Sequence, residues 1–455
     1  MRHIDYYFDK KFDFELYDIY RALDKFSEYS VKMQAHINNR IKKLIGRDES
    51  YAFYDVTNFY FEKDFNGPLG SLAQKGVSKE HQLTPIVQFG MFMDSNNIPI
   101  AMKAYPGNTS DSVTLQPSLN DIKREYNLNR LIVVADKGMN SRANIDYIVN
   151  NNDGYVVSQI LKGPKGKKYH DIMFDKEGYQ GDEDFQYKIF EEEYESSINK
   201  KKKTTRKRKV LIYWSKEDAA YAKRKREEKK YKAEKELHNN AYSTGHSNFS
   251  DNKNIIAQHL VSSTGEKADQ EIKSINYEKF AEDEKFDGYF CIITSELDYD
   301  YKKILETYHH LSYIEESFRI TKSDLETRPI FVTTNNHIDA HLLTCFVSLI
   351  VLRMIQYKMG KSKLPSARIK RVLEMCTCQK INELYVHLDS VSGNYEYENI
   401  ISKSNRNYLS TKIDKNDDIT RNDFLSIQKN YDVDFDKCHM KINEFNKELK
   451  RIKYK

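Results

Sequence analysis

The segment Leu131–Ala135, LIVVA, is an unbroken apolar run closed by Asp136. A strand of this kind needs cover on both faces, as strands of parallel sheets have, so the chain must build layers of helix against sheet. The flanking patterns supply those layers. Tyr51–Phe61 (YAFYDVTNFYF) is aromatic and β-branched, Thr84–Met93 and Ile98–Tyr105 follow with the turn DSNN between them, and the three read as a meander. Gly107-Asn108-Thr109-Ser110-Asp111 offers turn and N-cap chemistry before a helix reaching about Tyr126. After LIVVA come a helix from Ser141 to Asn150 and a second apolar strand, Tyr155–Ile160. The predicted order is β-β-β-α-β-α-β, an α/β fold.

Around this core the pattern changes. Residues 1–50 carry two helical stretches, ELYDIYRALDKF and VKMQAHINNRIKKLI. Residues 161–285 break the regularity with lysines, acidic runs, a charged helix over about 216–238 and the polar stretch AYSTGHSNFSDN at 241–252, and read as an insertion. Regular structure resumes over 286–360 with the strand DGYFCIITS and a long helix from about Tyr301 to Asp324, and residues 361–455 read as a helical C-terminal region. The divisions are therefore 1–50, 51–160, 161–285, 286–360 and 361–455.

Composition narrows the class. A mean hydropathy of -0.76 with 31% charged residues excludes an integral membrane protein, and 13% aromatics exclude a wholly disordered chain, because such side chains demand burial. The longest apolar stretch, Leu342 to Ile355, falls short of the roughly 20 residues of a bilayer span and reads as a buried helix, so no membrane partner is expected. The opening MRHIDYYFDKKFDFE has no apolar core of a secretory signal, and the five cysteines are too sparse for a disulfide framework or a four-cysteine zinc site. A reducing, cytoplasmic setting follows.

The formal net charge of +5 is unevenly spread: Lys200–Lys235 alone carries +12, leaving -7 for the rest. Lys200, Lys201, Lys202, Lys203, Arg206, Lys207, Arg208 and Lys209 fall between FQYKIFEEEYE and VLIYWS, the pattern of a hairpin with a basic tip. A duplex binder needs such a surface, since neutralising phosphates releases condensed counterions. A solvated lysine-rich loop is an equal reading of this run alone.

Three acids stand out. Asp55 interrupts an aromatic strand in which Asp is disfavoured. Asp136 ends a buried strand, and the crevice beyond such ends is where open α/β sheets hold ligands. Tyr308, Leu311, Glu315, Phe318, Lys322 and Leu325 recur at spacings of three and four, which predicts that Glu315 lies on the inward stripe of the long helix while Glu316 shares a more polar side with Ser312, Arg319 and Ser323. Taken singly, each has a structural alternative: a satisfied bulge for Asp55, a turn cap for Asp136, an i,i+4 pair with Arg319 for Glu315. Together, three carboxylates suit a pair of Mg²⁺ ions, which prefer hard oxygen ligands and can activate a water or 3′-hydroxyl for in-line phosphoryl transfer.

These residues resemble the DDE transposases of bacterial insertion sequences, in the subgroup marked by Tyr-x2-Arg-x3-Glu-x6-Lys. The match runs Tyr308-x2-Leu311-x3-Glu315-x6-Lys322, with Phe318-Arg319 and Arg328-Pro329 around it. YDVTNFYFE resembles the family's first-acid block, VVADKGMNSRANI its second, and PIAMKAYPGNTSDSVTL the segment between, so the likeness covers roughly residues 50–355. It implies a ribonuclease-H-like catalytic core interrupted by a mostly β insertion. Asp55, Asp136 and Glu315 would be both catalytic residues and ligands of two Mg²⁺, with Mn²⁺ able to substitute. The chemistry would be nicking at element ends followed by attack of the freed 3′-hydroxyl on another phosphodiester. By the same likeness Tyr308 and Lys322 contact DNA phosphates. The partners would be double-stranded DNA, at element ends and target, and a second copy in a homodimer on paired ends. Leu311 stands where the signature has Arg, and Arg319 is the candidate substitute. Fifty-four residues precede Asp55, fewer than the family's DNA-binding region usually occupies. A catalytically silent relic that only binds DNA, and a nuclease without strand transfer, are the competing readings. Trp214 reads as a core aromatic, although relatives insert a Trp into distorted DNA ends.

Overall fold

The computed structural model describes residues 14–65, 67–80, 82–126, 128–198, 202–240, 256–261, 270–375, 377–380, 385–389, 415–435 and 439–451. The polar stretch 241–252 lies outside these. Two compact units emerge, Met1–Val134 with His310–Lys455, and Ala135–His309.

The first unit opens with helices α1 (Leu16–Glu28) and α2 (Ser30–Ile45), the latter closed by Gly46 at φ 65, a left-handed cap that glycine adopts without strain. Strands β1 (Tyr51–Tyr60), β2 (Ile86–Met93) and β3 (Pro99–Pro106) form the predicted antiparallel meander, with Asp55 opposite Met91 and Gln88 opposite Tyr105. Asp94 makes the turn between β2 and β3 by accepting the N–H groups of Asn96 and Ile98, each at 2.9 Å, and pairs with Arg47 at 2.8 Å with both side chains sealed from solvent. Helix α3 (Asp111–Tyr126) covers one face, where the Tyr54 hydroxyl donates to Thr114 Oγ1 at 2.8 Å. The apolar run becomes β4 (Ile132–Ala135), buried at every position, and the order here is β3-β2-β1-β4.

The second unit continues with α4 (Arg142–Asn150), capped by Ser141, whose hydroxyl accepts the Asn144 N–H, and with the wholly buried β5 (Gly154–Ser158). A short helix α5 (His170–Phe174) and strand β6 (Gln180–Gly181) precede a long antiparallel hairpin, β7 (Phe185–Ile198) with β8 (Lys202–Ser215). Helix α6 (Lys216–Asn240), the pair β9 (Ile256–Val261) and β10 (Gln270–Ile275), helix α7 (Tyr277–Glu284), strand β11 (Tyr289–Thr294) and helix α8 (Tyr301–His309) complete it. The order is β5-β11-β8-β7-β6. Within the stretch read as an insertion, the apolar VLIY of β8 pairs with β11, which also pairs with β5, so the hairpin extends the sheet that those strands form.

Returning to the first unit, α9 (Ser312–Ser323) packs on β1, and α10 (Asn335–Met359) packs on α1 and β3. The single helix expected from Tyr301 to Asp324 is therefore two, interrupted at His310 and Leu311. Helix α10 exceeds the apolar stretch seen in the sequence. With the turn that follows it, it is long and apolar enough to cross a membrane, yet 56% of its most apolar window is buried within the protein. The C-terminal region holds α11 (Ser366–Met375), β12 (Thr377–Lys380), β13 (Tyr385–Asp389), α12 (Lys415–Tyr431), β14 (His439–Lys441) and α13 (Ile442–Arg451). Its three-stranded sheet β12-β13-β14 corrects the all-helical expectation. Tyr385 and Val386, aromatic and β-branched, suit the strand they occupy.

Candidate active site

Strand alternation puts Phe53, Asp55, Thr57 and Phe59 on one face of β1. Aromatic contacts identify what covers it. Phe53 stacks on His310 at 5.0 Å, Phe59 meets Phe89 at 5.4 Å, and Phe89 meets Phe318 of α9 at 6.2 Å. Asp55 therefore shares a face with the helix that carries Glu315. Its carboxylate is half-buried, and Oδ1 accepts the Val56 N–H at 2.7 Å.

Helix α9 departs from the expected stripe. Its buried face is Ile314, Ser317, Phe318, Ile320 and Thr321, and Glu315 is exposed rather than inward. The break at His310 and Leu311 resets the helical phase, which a count carried across it could not anticipate. Glu316, expected on the polar side, turns inward instead: it is half-buried and its Oε2 takes two contacts at 3.1 Å from Arg353, which is itself buried in α10. Arg353 also donates to Ser317 Oγ, at 2.6 Å, and to the Tyr313 carbonyl. Glu316 is thus committed to packing, whereas Glu315 makes no side-chain hydrogen bond or ion pair among the described residues. Leu311 is buried at 7% exposure, so the position of the signature's Arg is part of the core here, while Arg319 is exposed.

Lys322 is half-buried, and its Nζ lies 2.6 Å from Glu80 Oε1, with Arg328 Nη1 2.7 Å from the same oxygen. Burial lowers the Lys322 pKa against the pull of Glu80. Glu80 was invisible to sequence reasoning because the SKEHQ loop has no periodicity. Arg353 left a signal, a lone cation within the apolar run of Leu342–Ile355.

In the second unit, Asp136 follows β4 and is exposed at the head of a short turn, its carbonyl accepting the Met139 N–H at 2.9 Å. Its Oδ1 accepts two hydroxyls, Ser158 at 2.9 Å and Tyr308 at 3.1 Å. Burial, then the negative charge of Asp136, pushes the Tyr308 hydroxyl well above its usual range, so it stays a donor. Tyr308, expected against DNA, is tied to the second acid.

Lys200 and Lys201 lie outside the described residues, as does the side chain of Lys202. Three of the remaining cations face acids across the hairpin, with Glu191 opposite Lys209, Glu192 opposite Arg208 and Glu193 opposite Lys207, while Lys203 and Arg206 lie opposite Ser197 and Tyr194. Arg208 is buried, pairs with Glu192 at 2.6 Å and lies 4.6 Å from the Tyr194 ring centroid, which removes it from the predicted basic surface. Its strand position points it inward. Arg206 is half-buried and donates to Asn150 Oδ1 at 3.1 Å, Lys209 donates to the Tyr299 carbonyl at 2.8 Å, and Lys203 pairs with Glu195 in solvent. Lys207 is exposed. Trp214 donates to the Asp287 carbonyl at 3.2 Å, in keeping with a packing role.

Carboxylate oxygens of this kind have the hardness that Mg²⁺ prefers. Among the described residues no group of three His, Cys, Asp or Glu side chains forms a metal cage, and Asp136 belongs to the second unit while Asp55 and Glu315 belong to the first. Residues 55–351 match the family model of the transposase DDE domain. The chain belongs to this family. The matched span of this DDE-domain chain opens on Asp55 and includes Asp136 and Glu315. No curated protein matches it in sequence. Among solved structures, a synaptic complex of piggyBac transposase with hairpin DNA is similar at a TM-score of 0.34 and 7% identity, over 83% of this chain and 57% of that one. A Mos1 transposase paired-end complex with the left transposon end is similar at a TM-score of 0.17 and 15% identity, over 32% and 44%. The chain thus spans little more than half the length of the piggyBac chain.

Proposed function

We propose that this DDE-family chain is a DNA transposase of a bacterial insertion sequence, with a ribonuclease-H-like catalytic core that cuts element ends and joins them to new sites. The observation that carries the reading is the family match across all three acids. Asp55, Asp136 and Glu315 are the catalytic set, and they would hold two Mg²⁺, or Mn²⁺ in its place. When bound, the ions would activate the attacking oxygen and stabilise the leaving one. In the first step water adds to a phosphorus at the element end and the P–O3′ bond breaks, freeing a 3′-hydroxyl. In the second that hydroxyl loses its proton as it adds to a phosphorus of target DNA, and the target's own P–O3′ bond breaks. Ser158 and Tyr308 fix one oxygen of Asp136, which leaves the other to face the reaction. Arg319 and Lys322 would neutralise phosphates, and Lys203 and Lys207 of the hairpin would add non-specific hold on the duplex. A homodimer on paired ends belongs to the same reading, and so does a place in the cytoplasm beside DNA.

The test uses the purified full chain and DNA flanking its own coding sequence. Asp55→Ala, Asp136→Ala and Glu315→Ala are each expected to abolish Mg²⁺-dependent cleavage while duplex affinity stays within about two-fold, since none of the three is a phosphate-neutralising cation. Cleavage kept in Glu315→Ala but lost in Glu316→Ala would move the third acid by one residue. Duplex binding without cleavage by the unaltered chain would favour the silent relic.

A further inference from the structure

Two cations converge on one carboxylate oxygen in the first unit: Lys322 from α9 and Arg328 just after it, both against Glu80 Oε1. A third, Lys79, donates to the Val56 carbonyl at 2.5 Å and lies 3.8 Å from Asp111. Lys322 and Arg328 therefore share a single glutamate, while Lys79, close enough for its charge to act on Lys322, pairs at longer reach with Asp111. Glu80 satisfies them incompletely. Arg328 Nη1 is cut off from solvent and, although close to Glu80, has no acceptor in hydrogen-bond alignment. One oxygen shared by two donors leaves a guanidinium without the two-point contact it makes best. A phosphodiester, with two non-bridging oxygens set tetrahedrally, could serve Lys322 and Arg328 separately.

The loop that delivers Glu80 is anchored to β1 through the buried Asn58, whose side-chain oxygen accepts the Lys79 N–H, and is otherwise held locally. Ser78 Oγ accepts the N–H groups of Glu80 and Gln82 at 3.3 and 3.1 Å, a local turn, while Val77 and Leu83 are 88% and 86% exposed. Withdrawing Glu80 breaks its ion pairs with Lys322 and Arg328.

We propose that Lys79, Lys322 and Arg328 form a cradle for one DNA phosphodiester, and that Glu80 occupies this seat as an internal stand-in until the phosphate displaces it. The inference rests on the reading of the chain as a DNA-acting enzyme and adds a regulatory contact to it. Glu80 lowers affinity for any duplex that does not engage the cradle fully.

Fluorescence anisotropy of the full chain with a labelled duplex of arbitrary sequence, without divalent metal, tests this. Glu80→Gln is expected to tighten binding about three- to ten-fold, the scale on which a competing charge acts at a partly buried site. Asp64→Asn, which removes another acid of the same loop, should change it less than about two-fold, as exposed charges do. In the Lys322→Ala, Arg328→Ala background the gain from Glu80→Gln should vanish. Should Glu80→Gln fail to fold, Glu80→Asp keeps the charge but sets it back by one methylene, and part of the gain is expected. Weaker binding in Lys322→Ala with no gain in Glu80→Gln or Glu80→Asp would overturn the stand-in while leaving the DNA reading intact. A gain that persists without Lys322 and Arg328 would also overturn it, as a general charge effect. No duplex binding by any form would instead overturn the functional reading beneath it.

Discussion

Tyr308 illustrates how a single residue found by its motif can show a partner that the motif does not name. Its position in the signature was legible, but its hydroxyl donates to Asp136. Residues that orient a metal ligand typically matter 10–100-fold for metal affinity when removed. Tyr308→Phe is therefore expected to raise the Mg²⁺ concentration for half-maximal cleavage about ten-fold, with little change in duplex affinity. A Mg²⁺ titration of cleavage checks this, and an unchanged midpoint with weaker DNA binding would return Tyr308 to phosphate contact. Glu315 and Glu316 show the converse. Sequence periodicity placed Glu315 inward and Glu316 on the polar side, and the structure reverses this: Glu315 is exposed and Glu316 is committed to Arg353.

Among the elements, the meander, β4, α4, β5 and β11 were all legible, because alternating or continuous apolar runs bounded by turn residues leave few alternatives. The break between α8 and α9 was not, since HHLSYIEE has no proline or glycine to announce it. The strands β12–β14 were hidden in polar sequence where helix and strand patterns compete. The β7–β8 hairpin was legible as a hairpin, but cross-strand charge pairing depends on register, and register is not written in either strand alone. Its inner pair yields a pH prediction. Burial favours the neutral form of Glu192, yet the hydrogen bond from Tyr169 and the charge of Arg208 outweigh it, so its pKa is depressed in the folded chain. Its stabilising contribution is therefore complete above the ordinary glutamate range near about 4.3 and is lost as pH falls through the lower folded value. Thermal melts between neutral and acid pH should show a smaller loss of stability on acidification in Glu192→Gln than in the unaltered chain. Equal losses would mean the pair carries no differential charge.

At the scale of the whole molecule, the +12 segment includes a run read from sequence as a hairpin with a basic tip or, equally, a solvated loop, and three of its cations lie opposite glutamates of β7. Lys203 and Lys207 remain exposed. Replacing both by Ala should lower the slope of log affinity against log salt by about two, near one per phosphate contact. An unchanged slope would leave these lysines to the solvated-loop reading. The family assignment rests on residues 55–351, and the proposed function adds the claim that acids distant in sequence share metal ions. Iron-directed backbone cleavage tests this most directly: with Fe²⁺ in place of Mg²⁺ and ascorbate and peroxide added to the DNA-bound full chain, hydroxyl radicals cut the polypeptide beside the metal. The account predicts cuts clustered near Asp55, Asp136 and Glu315 together, all suppressed by excess Mg²⁺ and all weakened by Asp136→Ala. Cuts confined to one of the three segments, or unaffected by Mg²⁺, would contradict it.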